Sequence, residues 1–140
     1  MSAGTGVLHS EFNHSETDTL RFLQIWIHPQ EKGVPSRYED RAFPVRDNRG
    51  QFVLIASPDG RDDSLAIHQD VKAYASILEP GQHLTHRLAS SRHGWIQVAR
   101  GRLRLNQHEL KEGDGAAVSD ESLLDLEGIE EAELLLFDLA

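Results

Sequence analysis

The 140-residue sequence contains no cysteine, a single methionine and few aromatic residues. The absence of cysteine excludes disulfide bonds, thiolate metal ligands and a cysteine nucleophile. The sequence also lacks any run of about 18 apolar residues, so no membrane-spanning helix is expected. Its first residues show no basic stretch followed by an apolar one, so no secretory signal is expected. These absences predict a soluble protein of the cytoplasm.

The sequence also has few basic residues. It contains 14 Lys and Arg residues and 23 Asp and Glu residues, which gives a formal net charge of -9. An acidic surface repels nucleic-acid phosphates and anionic lipid headgroups. We therefore expect neither direct nucleic-acid binding nor membrane binding. The length suits one domain with its own hydrophobic core.

What the sequence does contain is a succession of short strand patterns separated by turn residues. Strands are predicted at 20–28, 51–56, 65–68, 72–78, 95–100, 102–106, 116–118, 123–126 and 133–139. In the strand at 102–106, Leu103 and Leu105 should face inward while Arg102 and Arg104 face solvent. No segment keeps a helical period. Many short strands joined by turns predict a sandwich or a barrel.

Two segments have unusual composition. Residues 20–28 are apolar on both alternating faces, a pattern that predicts a strand buried on two sides. The acidic segment 127–133 is expected to be a solvated loop that discourages edge-to-edge pairing of strands.

The opening residues carry a His-x-Glu pair, His9 and Glu11, which predicts part of a metal site. Residues two apart in a strand project from the same face, so the imidazole and the carboxylate would lie side by side. An imidazole with a carboxylate suits a non-haem divalent metal, but a firmly held catalytic metal needs three or four protein ligands. His14 could reach the same metal, and an exposed loop histidine is the alternative interpretation of it.

Motifs spread along the chain belong together with this pair. They are the opening block 1–13, Gln24-Ile25-Trp26-Ile27, Pro35-Ser36-Arg37-Tyr38-Glu39, His68-Gln69-Asp70, Trp95-Ile96-Gln97-Val98 and Leu135-Leu136-Phe137-Asp138-Leu139. This set of motifs resembles the pirin family, including the bacterial pirin-like quercetin dioxygenases. The turns Pro80-Gly81 and Gly113-Asp114-Gly115 frame a cupin-like hairpin. The resemblance implies an all-β cupin, a jelly-roll-like barrel with an N-terminal strand arm. Residues 1–36 would be a remnant of a first, metal-binding cupin, and 37–140 a C-terminal pirin-type cupin domain.

The resemblance also implies a metal centre of which this sequence holds one part. Pirin-like proteins take their metal ligands from a His-x-His pair and a later His-x-Glu pair, and the later pair falls on His9 and Glu11. Glu11 is then the candidate base, and Fe(II) or a similar divalent metal is the implied cofactor. No counterpart of the His-x-His strand is found, so Met1 is expected to be an internal methionine of a longer chain.

The later histidines are not expected to form a second metal site. His83 and His86 are three residues apart and would point to opposite faces of a strand. Together with His93 they are expected to be surface or loop residues. His68 and Asp70, two apart, are expected to make a structural hydrogen bond.

Three functions remain open at this point. The chain could be a truncated pirin-like binding or scaffold module without turnover. It could be an iron-dependent quercetin 2,3-dioxygenase-type oxidoreductase, if the other ligands come from a full-length chain or a partner subunit. It could also bind a small flavonol-like ligand at the barrel mouth without catalysis. In each case the apolar segment 20–28 predicts self-association through the arm, by strand exchange.

Overall fold

Ten β-strands between Val53 and Leu139 make up the fold in the computed structural model, which describes all of residues 1–140. In chain order the strands are β1 (Val53–Ser57), β2 (Leu65–Ala66), β3 (Val71–Leu78), β4 (His83–Arg87), β5 (His93–Arg100), β6 (Arg102–Leu105), β7 (His108–Lys111), β8 (Gly115–Val118), β9 (Leu123–Gly128) and β10 (Ala132–Leu139). The one helical element is a 3-10 turn at Arg61–Asp63. The structure contains no helix with the length and apolar character needed to span a membrane.

The strands form two sheets that share one hydrophobic core. The first sheet has the order β2-β1-β3-β10-β5-β8 and the second has the order β4-β9-β6-β7. β10 lies inside the first sheet and pairs antiparallel with β3 along its whole length and with β5 from Glu133 to Leu139. The core cluster draws its residues from both sheets, as expected for two sheets packed face to face. The all-β, jelly-roll-like prediction is therefore confirmed.

The core follows the period-two alternation of the strands. Leu103 and Leu105 are buried on β6, while Arg104 is exposed and Arg102 is half-buried, so the predicted alternation is confirmed. On β10, Leu134 and Leu136 are buried in the same cluster. Alternate residues of a strand point to opposite faces of its sheet, so each strand places one row of side chains in the core.

The turn between β5 and β6 requires glycine. Gly101 has a φ of 75°, in the left-handed region that other residues rarely adopt. A Cβ at this position would also lie 1.9 Å from the carbonyl oxygen of Glu131. Gly101 therefore allows the tight antiparallel hairpin that the sequence predicts around it.

The strand predicted at 20–28 is not formed. All nine residues are exposed, and no residue from 7 to 29 makes a main-chain hydrogen bond to another main-chain group. The segment instead runs extended beside the outer face of β5 and β10, where it borders a shallow groove of about 330 Å³ with Trp95 and Phe137. A strand needs a neighbouring backbone to satisfy its N–H and C=O groups, and none lies next to this segment.

The loop predicted for the acidic segment 127–133 is shorter than expected. β9 continues through Gly128 and β10 begins at Ala132, so residues 129–131 alone connect the two strands. The division of the chain at 36/37 stays a prediction, and residues 1–36 are called the arm below.

Candidate functional site

The residues predicted to bind a metal lie in the arm and are solvent-exposed. His9 and Glu11 belong to a stretch without strand structure, and neither side chain makes a hydrogen bond or an ion pair. His14 is exposed as well. The predicted strand that would align His9 and Glu11 on one face is absent, while their role as ligands stays a prediction.

The donors present do not by themselves fit a dioxygenase metal centre. Nowhere in the chain do three or more His, Asp or Glu side chains come together in a way that could hold a metal ion. An imidazole and a carboxylate are suitable donors for a divalent metal, but two donors leave most coordination positions to water. A metal at His9 and Glu11 would need further ligands to be held firmly.

The main polar cluster of the molecule lies inside the barrel and joins three elements. Asp138 is on the inner face of β10, and its side chain is only 5% exposed. Arg92, in the loop before β5, donates to the carboxylate of Asp138 and to its main-chain carbonyl oxygen. His86 Nε2 lies 3.1 Å from Asp138 Oδ2, and a carboxylate accepts, so the imidazole donates. The cluster thereby ties β4 and the β4–β5 loop to the end of β10.

Arg92 keeps its charge in this buried position because it has two acidic partners. Burial lowers the pKa of Arg92, but its hydrogen bonds to Asp138 and Asp70 outweigh that effect, so the net shift is upward. Arg92 Nη1 lies 3.1 Å from each carboxylate oxygen of Asp70. The predicted hydrogen bond between His68 and Asp70 is not formed, because Asp70 is engaged by Arg92.

Aromatic rings pack in the interior of the barrel next to this cluster. Phe52 and Tyr74 pack on each other and on the imidazole of His86, with ring centroids 5.2–5.7 Å apart. Burial raises the pKa of the Tyr74 hydroxyl, and the nearby negative charge of Asp138 raises it further. The expectation that His86 is a surface or loop residue is therefore wrong, because its side chain is 13% exposed on β4 and packs among rings.

The sequence interpretation missed this cluster, although one signal for it is present. Asp138 interrupts the apolar stretch Leu134–Leu139 at an inward-facing position of the strand. A charged residue at such a position requires a buried partner, since an unpaired buried charge is very costly. The partner itself, Arg92, lies 46 residues away in sequence and could not be identified from spacing.

The arm is attached to the barrel at few points. The main-chain N–H of Gln30 donates to the carbonyl oxygen of His68 at 2.7 Å, and the Gln69 side chain donates to the carbonyl oxygen of His28 at 2.9 Å. Arg21 pairs with Glu112 at 3.1 Å, with both side chains largely exposed. The turn that follows β2 therefore anchors the arm, while most of its length is held by few polar contacts.

Two facing sheets, antiparallel apart from the short β1–β2 pair, with a Pro-Gly turn before β4 and a Gly-Asp turn before β8, define a cupin barrel. Residues 54–139 match the family described as the quercetinase C-terminal cupin domain. The chain belongs to this family, so the resemblance to pirin-like proteins is confirmed.

Relatives of known name agree with this assignment. The quercetin 2,3-dioxygenase of Escherichia coli (strain K12) is 42% identical over 139 residues, covering 99% of this chain and 59% of the relative. A pirin-like protein of Caulobacter vibrioides is 37% identical over 141 residues, covering 100% of this chain and 60% of the relative. The chain thus spans about three fifths of the length of the relatives that it matches.

Solved structures show the same relationship. YhhW from Escherichia coli is 38% identical with a TM-score of 0.77, and the match covers 82% of this chain and 48% of YhhW. The structure of bacterial pirin YhhW in complex with nickel(II) matches with a TM-score of 0.74 over 79% of this chain and 47% of that one.

Proposed function

We propose that this 140-residue polypeptide acts as a folded pirin-type binding module and does not turn over a flavonol by itself. The observation that supports the proposal is the environment of His9 and Glu11, which are exposed and lie without a third ligand. Two ligands bind a divalent metal loosely and exchange it quickly, whereas oxygenase chemistry requires a metal held by three or four protein ligands.

A second candidate function is flavonol oxygenation with ligands supplied from another polypeptide or a longer chain. It is favoured by the relatives named quercetin 2,3-dioxygenase and by the nickel(II) complex of YhhW. In that case His9 and Glu11 would contribute two ligands to Fe(II) or a similar divalent metal. Glu11 would then be a carboxylate close to the metal and the candidate proton acceptor.

Metal analysis of the purified chain, combined with a quercetin turnover assay, separates the two candidates. The binding-module proposal predicts far less than one metal per chain after dialysis and no turnover with added Fe(II). His9→Ala should change neither result, and His108→Ala provides the matched control, since His108 is exposed on β7. Stoichiometric metal with turnover that is abolished by His9→Ala alone would overturn the proposal in favour of the enzyme.

We further propose that the arm binds a second copy of this chain. Trp26 is 81% exposed in the middle of an extended apolar segment whose main-chain groups have no main-chain partners. Apolar side chains beside free N–H and C=O groups favour the addition of a strand from another chain. A second copy carries the same segment, so a two-fold pairing would cover both copies at once.

Light scattering across a range of concentrations tests this self-association. The wild-type chain should form dimers at high concentration, and Trp26→Glu should shift it to a monomer because a charge cannot be buried at the pairing surface. Tyr38→Glu introduces the same charge at an exposed aromatic residue outside the arm and should leave the dimer intact. A clean wild-type monomer at high concentration would contradict the proposal.

We also infer a cytoplasmic protein that binds neither nucleic acid nor membranes. The net charge of -9 supports the absence of nucleic-acid and membrane binding, because phosphate-rich surfaces repel such a chain. Co-sedimentation with vesicles of anionic lipid, or a shifted DNA duplex at low salt, would contradict it.

A further inference from the structure

A cavity of about 560 Å³ lies beside β1, between the segment that precedes this strand and the 3-10 turn at Arg61–Asp63. Small-molecule sites typically measure about 300–1,000 Å³ and combine an apolar lining with a few polar groups. The lining here includes Phe43, Pro44, Phe52 and Leu54 together with charged side chains. No residue of the arm takes part, so this cavity is separate from His9, Glu11 and the proposed dimer surface.

Both apolar walls of the cavity are held in place by the surrounding structure. Phe52 packs against the rings of Tyr74 and His86 at 5.7 and 5.6 Å. On the other side, Asn48 Nδ2 donates to the carbonyl oxygen of Pro44 at 2.7 Å and fixes the turn that follows Phe43. A site whose walls are already in place loses little conformational entropy when a ligand binds.

The charged lining leaves one carboxylate unpaired. Arg41 lies 3.1 Å from Glu39 and 3.7 Å from Asp63, so its charge is already matched. The neighbouring Arg61 pairs with Asp59 at 2.8 Å. Asp62, in contrast, lines the cavity and makes no hydrogen bond or ion pair. The cavity therefore offers an aromatic lining with one free negative charge, on a protein that is acidic as a whole.

We propose that this cavity binds a small aromatic amine in its cationic form. The ring of such a ligand would pack between Phe43 and Phe52, and its ammonium group would donate to the carboxylate of Asp62. Charge-assisted hydrogen bonds are about twice as strong as neutral ones, and a cation near an aromatic face gains further attraction. An anionic ligand of the same shape would be repelled by Asp62. This site goes beyond the proposed function, since it depends on neither the metal ligands nor the arm.

Three probes of the same shape and different charge test the proposal by amide NMR titration at neutral pH. They are the cation phenethylamine, the neutral 2-phenylethanol and the anion phenylacetate. We expect shifts confined to residues 41–54 and 61–64, with affinity falling in that order. Equal affinity for phenylacetate and phenethylamine, or no shifts at these residues, would overturn the proposal.

Asp62→Asn tests the role of the carboxylate. It should weaken phenethylamine binding about 5- to 10-fold and leave 2-phenylethanol unchanged, because only the cation uses the charge. Asp120→Asn is the matched control, since Asp120 is also exposed with a left-handed backbone (φ 62° against 53° for Asp62) and does not line the cavity. Asparagine accepts this conformation. If Asp62→Asn and Asp120→Asn weakened phenethylamine binding equally, the cation would be attracted by the net charge of the protein alone. That result would overturn the proposed site.

Phe43→Leu provides a second variant in case the loop around Asp62 is disturbed. It keeps the cavity apolar but removes one ring, so all three probes should lose about 2- to 5-fold in affinity. Unchanged binding of every probe in Phe43→Leu would place them outside this cavity and would contradict the proposal.

Discussion

The segment 20–28 and the strand β10 have similar apolar sequences but opposite structures. β10 pairs with β3 on one side and β5 on the other, and five of its eight residues are buried. Residues 20–28 make no hydrogen bond between main-chain groups, and all nine are exposed. The difference shows that a run of apolar residues is not sufficient for a strand, because the strand also needs neighbouring backbones to bond with.

The same contrast applies to the histidines. His86 is held on β4 by Asp138 and by two aromatic rings, whereas His9 in the arm has no partner at all. A side chain becomes part of a defined site only where strands on several sides position it. The barrel therefore provides ordered sites, and the arm provides an exposed apolar surface.

Truncation of an apolar side chain should have its largest effect in the barrel. Leu126→Ala removes a fully buried leucine from the core cluster and should lower the free energy of unfolding by about 3–5 kcal/mol. Ile25→Ala, at an exposed position in the arm, should change it by less than about 0.5 kcal/mol. Urea unfolding measures both values, and a similar cost for the two variants would mean that the arm is packed like the core.

Removal of an acidic partner should show the next largest difference. Asp138→Ala leaves Arg92 and His86 buried without their carboxylate, and we expect a loss of about 3 kcal/mol in unfolding free energy. Glu112→Ala breaks the exposed pair between Glu112 and Arg21 of the arm, which should cost less than about 1 kcal/mol. Equal losses in urea unfolding would contradict this account of the cluster.

Two buried serines of the barrel should differ in their contribution to stability, because only one of them has hydrogen-bond partners. Ser57 is fully buried, and its hydroxyl lies 2.8 Å from that of Ser64 and 3.1 Å from Asp59, so Ser57→Ala should cost about 1 kcal/mol. Ser76 is equally buried, but its hydroxyl has no partner. Ser76→Ala should therefore be neutral or stabilising by up to about 1 kcal/mol. Thermal unfolding that ranks the two variants in the opposite order would contradict the stabilising role of the Ser57 hydroxyl.

The smallest expected effect concerns acid stability. Arg61 lowers the pKa of Asp59 well below its usual range, mainly through a side-chain hydrogen bond and against the opposing effect of burial. A carboxylate with a lowered pKa stabilises the fold fully above its unfolded-state pKa of about 4, and this contribution is lost as the pH falls below that value. Asp59→Asn should flatten the decrease of Tm with falling pH in this range.

Glu16→Gln is the control for the acid-stability prediction. Glu16 is an exposed carboxylate of the arm that makes no hydrogen bond or ion pair, so its removal should leave the pH profile of Tm unchanged. If Glu16→Gln flattened the profile as much as Asp59→Asn, general charge repulsion would explain it better than the pair with Arg61.

Most of the barrel could be predicted from the sequence, because β3, β5, β6 and β10 carry clear alternation of apolar residues. β4 and β7 were not predicted as strands, since their sequences are mainly polar and place few apolar residues inward. These strands form because the second sheet offers them backbone partners, in particular β9 for β4 and β6 for β7. Such pairing between distant segments leaves little signal in the local sequence.

The candidate sites were less predictable than the fold. The motifs spread along the chain, His9 and Glu11 among them, identified the family correctly, but the sequence pattern did not show that these two residues lie outside any strand. The Asp138 cluster and the cavity beside β1 both depend on contacts between residues that are far apart in sequence. The alternation of apolar residues along a strand shows which side chains face inward. It does not show which of the inward-facing side chains contact one another.

Amide hydrogen exchange tests the contrast between arm and barrel most directly. In dilute solution, the amides of residues 20–28 should exchange at nearly the rate of an unfolded chain, while those of β10 should be strongly protected. At high concentration, protection should appear in residues 20–28 as two copies pair through their arms. Strong protection of residues 20–28 in a dilute monomer would contradict the account, because it would show that the arm already has its partners within one chain.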